Sequence, residues 1–345
     1  MGEGEMNLAS KERKSSDAVP LANQPSEKTG ARNVVEVKER RTHDSQGQKI
    51  LTEEDAYDCL GFCFPTWKKW CILTCIFAVQ ISMNFNAAIY ANAVPGMTAD
   101  FGITNTRAKL GQMVFLVAYA FGCELWAPWS EELGRKWVLQ GSLFLVNLWQ
   151  IPCALAPKFW VVLAFRLLGG LSSAGGSVTL GMVADMWEPA QQQYAVAYVV
   201  LSSVGGSVVA PIFGVFITQY LSWPWVFWIS LILGGVVQAI HLFVPETRPD
   251  ILLDREAKRR RKVNGEHVCG PNEAEGHLWQ RIEFKKSLKL MWRPYQFLLT
   301  EPIVGFLSLI SGFSDALIFT GLDSFGPVLR KWNFSVVSIG LAFTS

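Results

Sequence analysis

Ser130-Glu131-Glu132-Leu133-Gly134-Arg135-Lys136 separates two of seven hydrophobic stretches, each long enough to cross a bilayer. A spanning helix needs about 20 mostly apolar residues to traverse roughly 30 Å of hydrocarbon, where only hydrogen bonds internal to the protein can satisfy its backbone. The charged heptapeptide therefore reads as a tight turn between spans two and three, with residues 110–128 before it and 137–155 after it. Outward from that turn, residues 67–94 form the first span, 161–182 the fourth, 195–216 the fifth, 225–244 the sixth and 297–322 the seventh. Composition agrees with a membrane class: 50% of the 345 residues are hydrophobic and 17% charged, with 14 Trp and 22 Phe.

Topology follows from the positive charges, because short loops rich in Lys and Arg stay in the cytoplasm during insertion. Arg255, Lys258, Arg259, Arg260, Arg261, Lys262, Arg281, Lys285, Lys286 and Lys289 fall in the connection after span six, which is placed inside the cell. Residues 1–66 are polar and poor in aromatics, so they are expected to be a disordered cytoplasmic tail that cannot bury enough apolar surface to offset its ordering entropy. The tail has no apolar run after Met1 that would mark a cleaved signal. The link Ala156-Pro157-Lys158 is short enough to make spans three and four antiparallel neighbours. Asn333-Phe334-Ser335, a glycosylation acceptor pattern, falls outside. An eighth helix begins in residues 336–345, and ten residues rise only about 15 Å, so truncation at the C-terminus is expected.

The resulting fold class is an all-α membrane bundle. Its domains are the tail 1–66, a six-helix bundle 67–245, a cytoplasmic loop 246–296 with a basic amphipathic segment in 280–293, and 297–345 as the start of a second bundle. That amphipathic segment suits an anionic inner leaflet, and its tether beside the bilayer argues against nucleic acid as a partner. The seven cysteines lack metal-ligand spacing, and Cys71, Cys75, Cys123 and Cys153 lie within apolar spans as packing residues. Neither a P-loop nor a nucleophile-base constellation emerges around the four histidines, so an enzyme is not expected.

The stretch Pro128-Trp129-Ser130-Glu131-Glu132-Leu133-Gly134-Arg135-Lys136 resembles the loop between helices two and three of the major facilitator superfamily, in its fungal drug:proton antiporter form. Arg166-Leu167-Leu168-Gly169-Gly170 is similar to the family's Arg-containing motif of helix four, and residues 206–214 to the antiporter motif of helix five. Pro245-Glu246-Thr247-Arg248 closes helix six as in the fungal multidrug and polyamine transporters. Ala210 and Val215 depart from that pattern, standing where the antiporter motif has Gly. The resemblance implies a complete six-helix first half, then helix seven and part of helix eight of a twelve-helix transporter. It further implies proton-coupled efflux of drugs, polyamines or similar organic solutes by alternating access at the plasma membrane, with a proton gradient and no cofactor. The alternative is a truncated, non-transporting membrane fragment, inert or regulatory.

Several residues carry that reading. Ser130, Glu131, Gly134, Arg135 and Lys136 would form the conformational turn: Gly134 permits the reversal, Glu131 caps helix three, and Arg135 reaches Asp185 at the inner end of helix four. Arg166 sits where an unpaired guanidinium is costly, so it should face a polar cavity. Asp315 lies at a similar depth, about 10 Å against about 8 Å from the outer surface, so the two are expected to share a pocket with Asp315 accepting a proton or cation. Its alternative role is a local hydrogen bond to a nearby helix. Ser308 and Ser311 lie on the same helical stripe as Asp315. In helix one, Gln80 and Asn84 oppose Ser82, Asn86 and Tyr90; Asn86 and Tyr90 are assigned to the substrate side, with amide-mediated helix packing as the other reading. Glu124 is deep enough in helix two to require a partner or a proton. Gly206, Ala210 and Gly214 form a small-residue face of helix five, bent by Pro211, for packing and rocking.

Overall fold

The computed structural model describes residues 48–274 and 284–332. Its helices are α1 (Thr66–Phe101), α2 (Asn105–Leu133), α3 (Arg135–Ala154), α4 (Phe159–Leu171), α5 (Gly175–Ala184), α6 (Pro189–Tyr220), α7 (Trp225–His241), α8 (Pro249–Asn264), α9 (Pro271–Ala274), α10 (Phe284–Thr300) and α11 (Pro302–Lys331). Two short strands, β1 (Lys49–Ile50) and β2 (Val268–Cys269), pair in parallel. The expected glycosylation pattern and eighth helix lie outside the described residues, as does the first part of the amphipathic segment.

Among the described residues, four spans are both long and apolar enough to cross a bilayer: α1, α2, α4 with α5, and α6. A fifth is reached if the bent pair α10 and α11 counts as one span. Seven were expected. Helix α7, with 17 residues, is shorter than a full span, and α3 has the length but carries Gln140, Asn147 and Gln150 among its apolar residues.

Helix ends differ from the hydropathy boundaries for local reasons. Helix α1 continues through Pro95-Gly96 and stops at Gly102, whose φ of 62° is left-handed. Thr104 then caps α2 by accepting from the Arg107 N–H at 3.4 Å. Helix α2 runs on through Pro128 and the acidic pair, leaving Gly134 as the whole connection to α3. Its φ of 99° makes a reversal within one residue feasible.

The fourth span is broken between α4 and α5, and neighbouring helices satisfy the backbone that the break exposes. Ser142 Oγ donates to the Ser172 carbonyl at 2.7 Å and accepts from the Ala174 N–H at 2.8 Å. Trp126 Nε1 donates to the Leu171 carbonyl at 3.0 Å. Without such partners a break inside hydrocarbon would strand polar groups at several kcal/mol each.

Helix α1 packs against α6 and α7, α2 against α4, and α3 against α4 and α7. The expected contact of spans three and four is present. Two apolar clusters fill the bundle, one around Ile76, Leu139, Met182 and Val199, the other around Ile89, Met97, Val162 and Phe227. Gly206 lets α6 approach α1 closely, since a Cβ there would come within 2.7 Å of the Ile81 carbonyl oxygen. Ala210, Pro211 and Gly214 are buried on the same helix.

Of the expected disordered tail, residues 1–47 lie outside the described residues. Residues 48–65 are ordered, because Leu51, Ala56 and Leu60 form a third apolar cluster with Leu253, Ala257 and Val268 from the loop after α7. Those six side chains supply a small core that neither segment has alone.

Candidate functional site: a buried ionic cluster and an enclosed arginine

Six of the charged or polar groups singled out in the sequence meet at the Gly134 end of the bundle. Arg135 Nε donates to Asp185 Oδ2 at 3.0 Å, with both side chains nearly buried. Arg135 Nη1 donates to Ser130 Oγ at 2.6 Å, and Ser130 Oγ in turn donates to the Ala127 carbonyl. Arg248 Nη1 stands 3.9 Å from Asp185 Oδ1 and Arg248 Nη2 2.9 Å from Asp250. Lys136 Nζ donates to the Leu242 carbonyl at 2.8 Å.

Glu246 organises the cluster. Only 1% exposed, it accepts from the backbone N–H groups of Arg135 at 3.1 Å, Lys136 at 3.3 Å, Thr247 at 3.0 Å and Arg248 at 3.1 Å. Two of these donors open α3, so a carboxylate from beyond α7 caps that helix and meets its positive dipole end. This replaces the assignment of Glu131. Because α2 continues to Leu133, Glu131 is a helical residue with an exposed side chain, unable to turn back onto α3. Gly134 is held against the cap as well: a Cβ there would lie 2.6 Å from Glu246 Oε2.

The second constellation lies deeper. Arg166 is 2% exposed, and its Nη1 donates to the Asn86 carbonyl at 3.2 Å and to Asn86 Oδ1 at 3.4 Å. The guanidinium carbon stands 4.4 Å from the ring centre of Tyr90, 5.1 Å from Phe115 and 5.0 Å from Phe227. Tyr90 donates its hydroxyl to the Ala108 carbonyl at 2.8 Å. Arg166 Nε and Nη2 and Asn86 Nδ2 have no hydrogen-bond partner among the described residues. Four helices, α1, α2, α4 and α7, thus enclose a cation by its aromatic faces and one amide. No described carboxylate pairs with it.

The pocket expected to hold Arg166 and Asp315 together is not formed. Asp315, Ser308 and Ser311 are exposed on α11, which packs against α10 and bends 104° from it at Glu301. Arg166 instead faces inward among α1, α2 and α7. Glu124 is half-buried on α2. In helix one, Gln80 donates to Thr179 Oγ1 at 3.0 Å across to α5, while Asn86 and Tyr90 turn to Arg166. The opposed pairs therefore serve two different neighbours.

A family model described as Major Facilitator Superfamily matches residues 76–345. An uncharacterized transporter of Schizosaccharomyces pombe is 30% identical over 294 residues, covering 81% of this chain and 52% of its own length. The MFS-type transporter traF of Penicillium crustosum is 31% identical over 284 residues, covering 80% of this chain and 56% of its own. The efflux pump radE of Floropilus chiversii is 29% identical over 284 residues, covering 81% and 52%. The chain spans about half the length of the curated relatives it matches. A solved D-xylose-proton symporter shares the fold with a TM-score of 0.50 at 14% identity, over 79% of this chain and 64% of that one.

Proposed function

The chain belongs to the major facilitator superfamily, whose members are membrane transporters and not enzymes, and on that premise we propose that it serves proton-coupled efflux of small organic solutes, drugs or polyamines among them. The Gly134 end is cytoplasmic in this reading, the crossings number seven, and the membrane is the plasma membrane. The observation that carries it is the buried ionic cluster. A surface turn has no need of a fully desolvated carboxylate that collects four N–H groups from two chain segments. A joint that must open and reclose during alternating access does, because it is then bistable and not gradually deformable.

In this mechanism Arg135, Asp185, Glu246 and Arg248 latch the inner ends of α3, α5 and α7 together, and breaking the latch opens the inner face. Gly206, Ala210, Pro211 and Gly214 provide the close α1 contact on which α6 rocks. Arg166, with Asn86 and Tyr90, supplies fixed positive charge within the bundle, and Glu124 and Asp315 are the proton or cation acceptors. A relative described as an efflux pump supports the direction of transport.

Vesicles carrying the protein and an imposed pH gradient test this with a fluorescent organic cation. Gradient-dependent flux is expected, and Asp185→Asn should reduce it about tenfold by removing one charge-assisted hydrogen bond from the latch. Flux equal to that of protein-free vesicles would refute transport, and full flux in Asp185→Asn would refute the latch.

A further inference from the structure

The ordered part of the tail is a strap with two attachments. Along one side it pairs β1 with β2, Leu51 N–H donates to the Cys269 carbonyl at 2.9 Å, and Arg260 Nη2 on α8 donates to the Asp55 carbonyl at 3.1 Å. Along the other it meets the segment that carries the partner of Arg135: Tyr57 Oη donates to Glu188 Oε1 at 3.5 Å, and Gly61 lies so near Asp185 that a Cβ would stand 2.7 Å from its carbonyl oxygen. Lys69 Nζ ties the end of the strap to α1 through the Phe62 carbonyl at 2.7 Å. The strap thus joins α8 to the backbone of the ionic cluster.

Between its two attachments lies a single turn, Thr52-Glu53-Glu54-Asp55. Asp55 Oδ2 accepts from both the N–H and the hydroxyl of Thr52, at 3.2 and 2.8 Å, and Asp55 Oδ1 pairs with Lys49 Nζ at 2.6 Å. Glu53 and Glu54 are exposed and Thr52 is partly so. A threonine followed by three carboxylates, displayed at a turn, matches the charge pattern that a Ser/Thr kinase with a basic substrate groove recognises.

We propose that Thr52 is a phosphoacceptor whose modification releases the strap. A nucleoside triphosphate supplies the γ-phosphoryl group: an Oγ1–P bond forms, the bond to the β–γ bridging oxygen breaks, a nucleoside diphosphate leaves, and the hydroxyl proton passes to the kinase base. The product carries about −1.5 to −2 charges where a hydrogen-bond donor stood. Three carboxylates, Glu53, Glu54 and Asp55, then follow it directly in the chain, with Asp55 already against the Thr52 hydroxyl. Among the described residues two cations reach this turn, Lys49 at the Asp55 carboxylate and Arg260 at the Asp55 carbonyl, and Glu256 already holds the guanidinium of Arg260 and that of its neighbour Arg259. Repulsion outweighs capture, the turn opens, and the Asp55 carbonyl leaves Arg260.

The proposal rests on the cytoplasmic placement of the Gly134 end, so its test includes a protease-cleavable tag at Met1. Membranes with the cytosolic face outward and carrying the full chain are treated with an acid-directed kinase and ATP, then examined by phosphosite mapping and by amide hydrogen exchange. Phosphate on Thr52, its absence in Thr52→Ala, its return in Thr52→Ser, and an about tenfold fall in protection at the Leu51 amide are expected, the scale of one charge-assisted hydrogen bond. A cleavable tag with Thr52 left unmodified would overturn the proposal alone. Modification with unchanged or increased protection would overturn release, showing that Lys49 and Arg260 capture the phosphate. A tag protected from cytosolic protease would overturn the proposal together with the topology.

Discussion

Replacing Glu246 with Gln tests the cap on α3 directly, because the change keeps the shape and removes the charge. Glu246 Oε1 accepts from the N–H groups of Arg135, Thr247 and Arg248, and Oε2 from that of Lys136. The amide oxygen can occupy the Oε1 position and keep three bonds, each weaker once the acceptor is neutral. The amide nitrogen must then face the Lys136 N–H, donor against donor, at a residue 1% exposed. One stranded donor costs about 1–3 kcal/mol, and loss of charge assistance and of the helix-end interaction adds about 1 kcal/mol. The sum, about 2–4 kcal/mol, corresponds to a fall in apparent melting temperature of about 4–16 °C at roughly 2–4 °C per kcal/mol. The assay is thermal unfolding of detergent-purified protein, with Glu131→Gln beside it as the control that the sequence motif alone would favour. Glu131→Gln is expected to leave the melting temperature unchanged. If Glu131→Gln lowers it and Glu246→Gln does not, the cap has been assigned to the wrong carboxylate.

Gly134→Ala combines a left-handed φ of 99° with a Cβ 2.6 Å from Glu246 Oε2, so it should cost about 2–3 kcal/mol and show as reduced melting temperature and lower yield of folded protein. Arg166→Met should hold the stability within about 1 kcal/mol of the unaltered protein, since two of the buried guanidinium nitrogens lack partners among the described residues and Met fills the aromatic box, while gradient-driven flux is lost; a large fall in melting temperature would show that the cation holds the bundle together. The strap should be stable to acid until unusually low pH. Hydrogen bonding to Lys49, then to Thr52, lowers the Asp55 carboxyl from 3.8 to about 2, and hydrogen bonding to Arg259 leads the fall of Glu256 from 4.5 to about 2. Both folded-state values are depressed, so their contribution is complete above about pH 5 and fades as pH falls through about 2. Amide protection at Leu51 followed from pH 7 to pH 2 should be flat down to about pH 5 and then decline; a loss centred near pH 6.5 would point to a histidine instead.

What the sequence determined by itself was everything carried by local pattern: the apolar runs, the turn at Gly134, the Arg135-to-Asp185 pairing inferred from a motif and a helix end, and the neighbouring of spans three and four through a three-residue link. Each depends on residues close in the chain, on a length that only a bilayer explains or, for Arg135 and Asp185 50 residues apart, on the family pattern that the turn resembles. Other features turned on partners far away in sequence. Glu246 lies 111 residues from the helix it caps, and nothing local distinguishes it from Glu131, which sits beside that helix. The break in span four is legible only once Ser142 and Trp126 are seen to satisfy the exposed backbone. The tail reads as unfoldable because its own apolar residues are too few, and its described part, residues 48–65, orders because α8 and β2 supply the other half of a core. An arginine at position 166 is costly to bury, but helical depth along a chain cannot say which way a side chain points, and packing turns it toward Asn86 and three aromatic rings, with Asp315 left on the surface of α11. Hydropathy is a property of single segments, whereas the pairing of buried charges belongs to the tertiary arrangement that removes them from water.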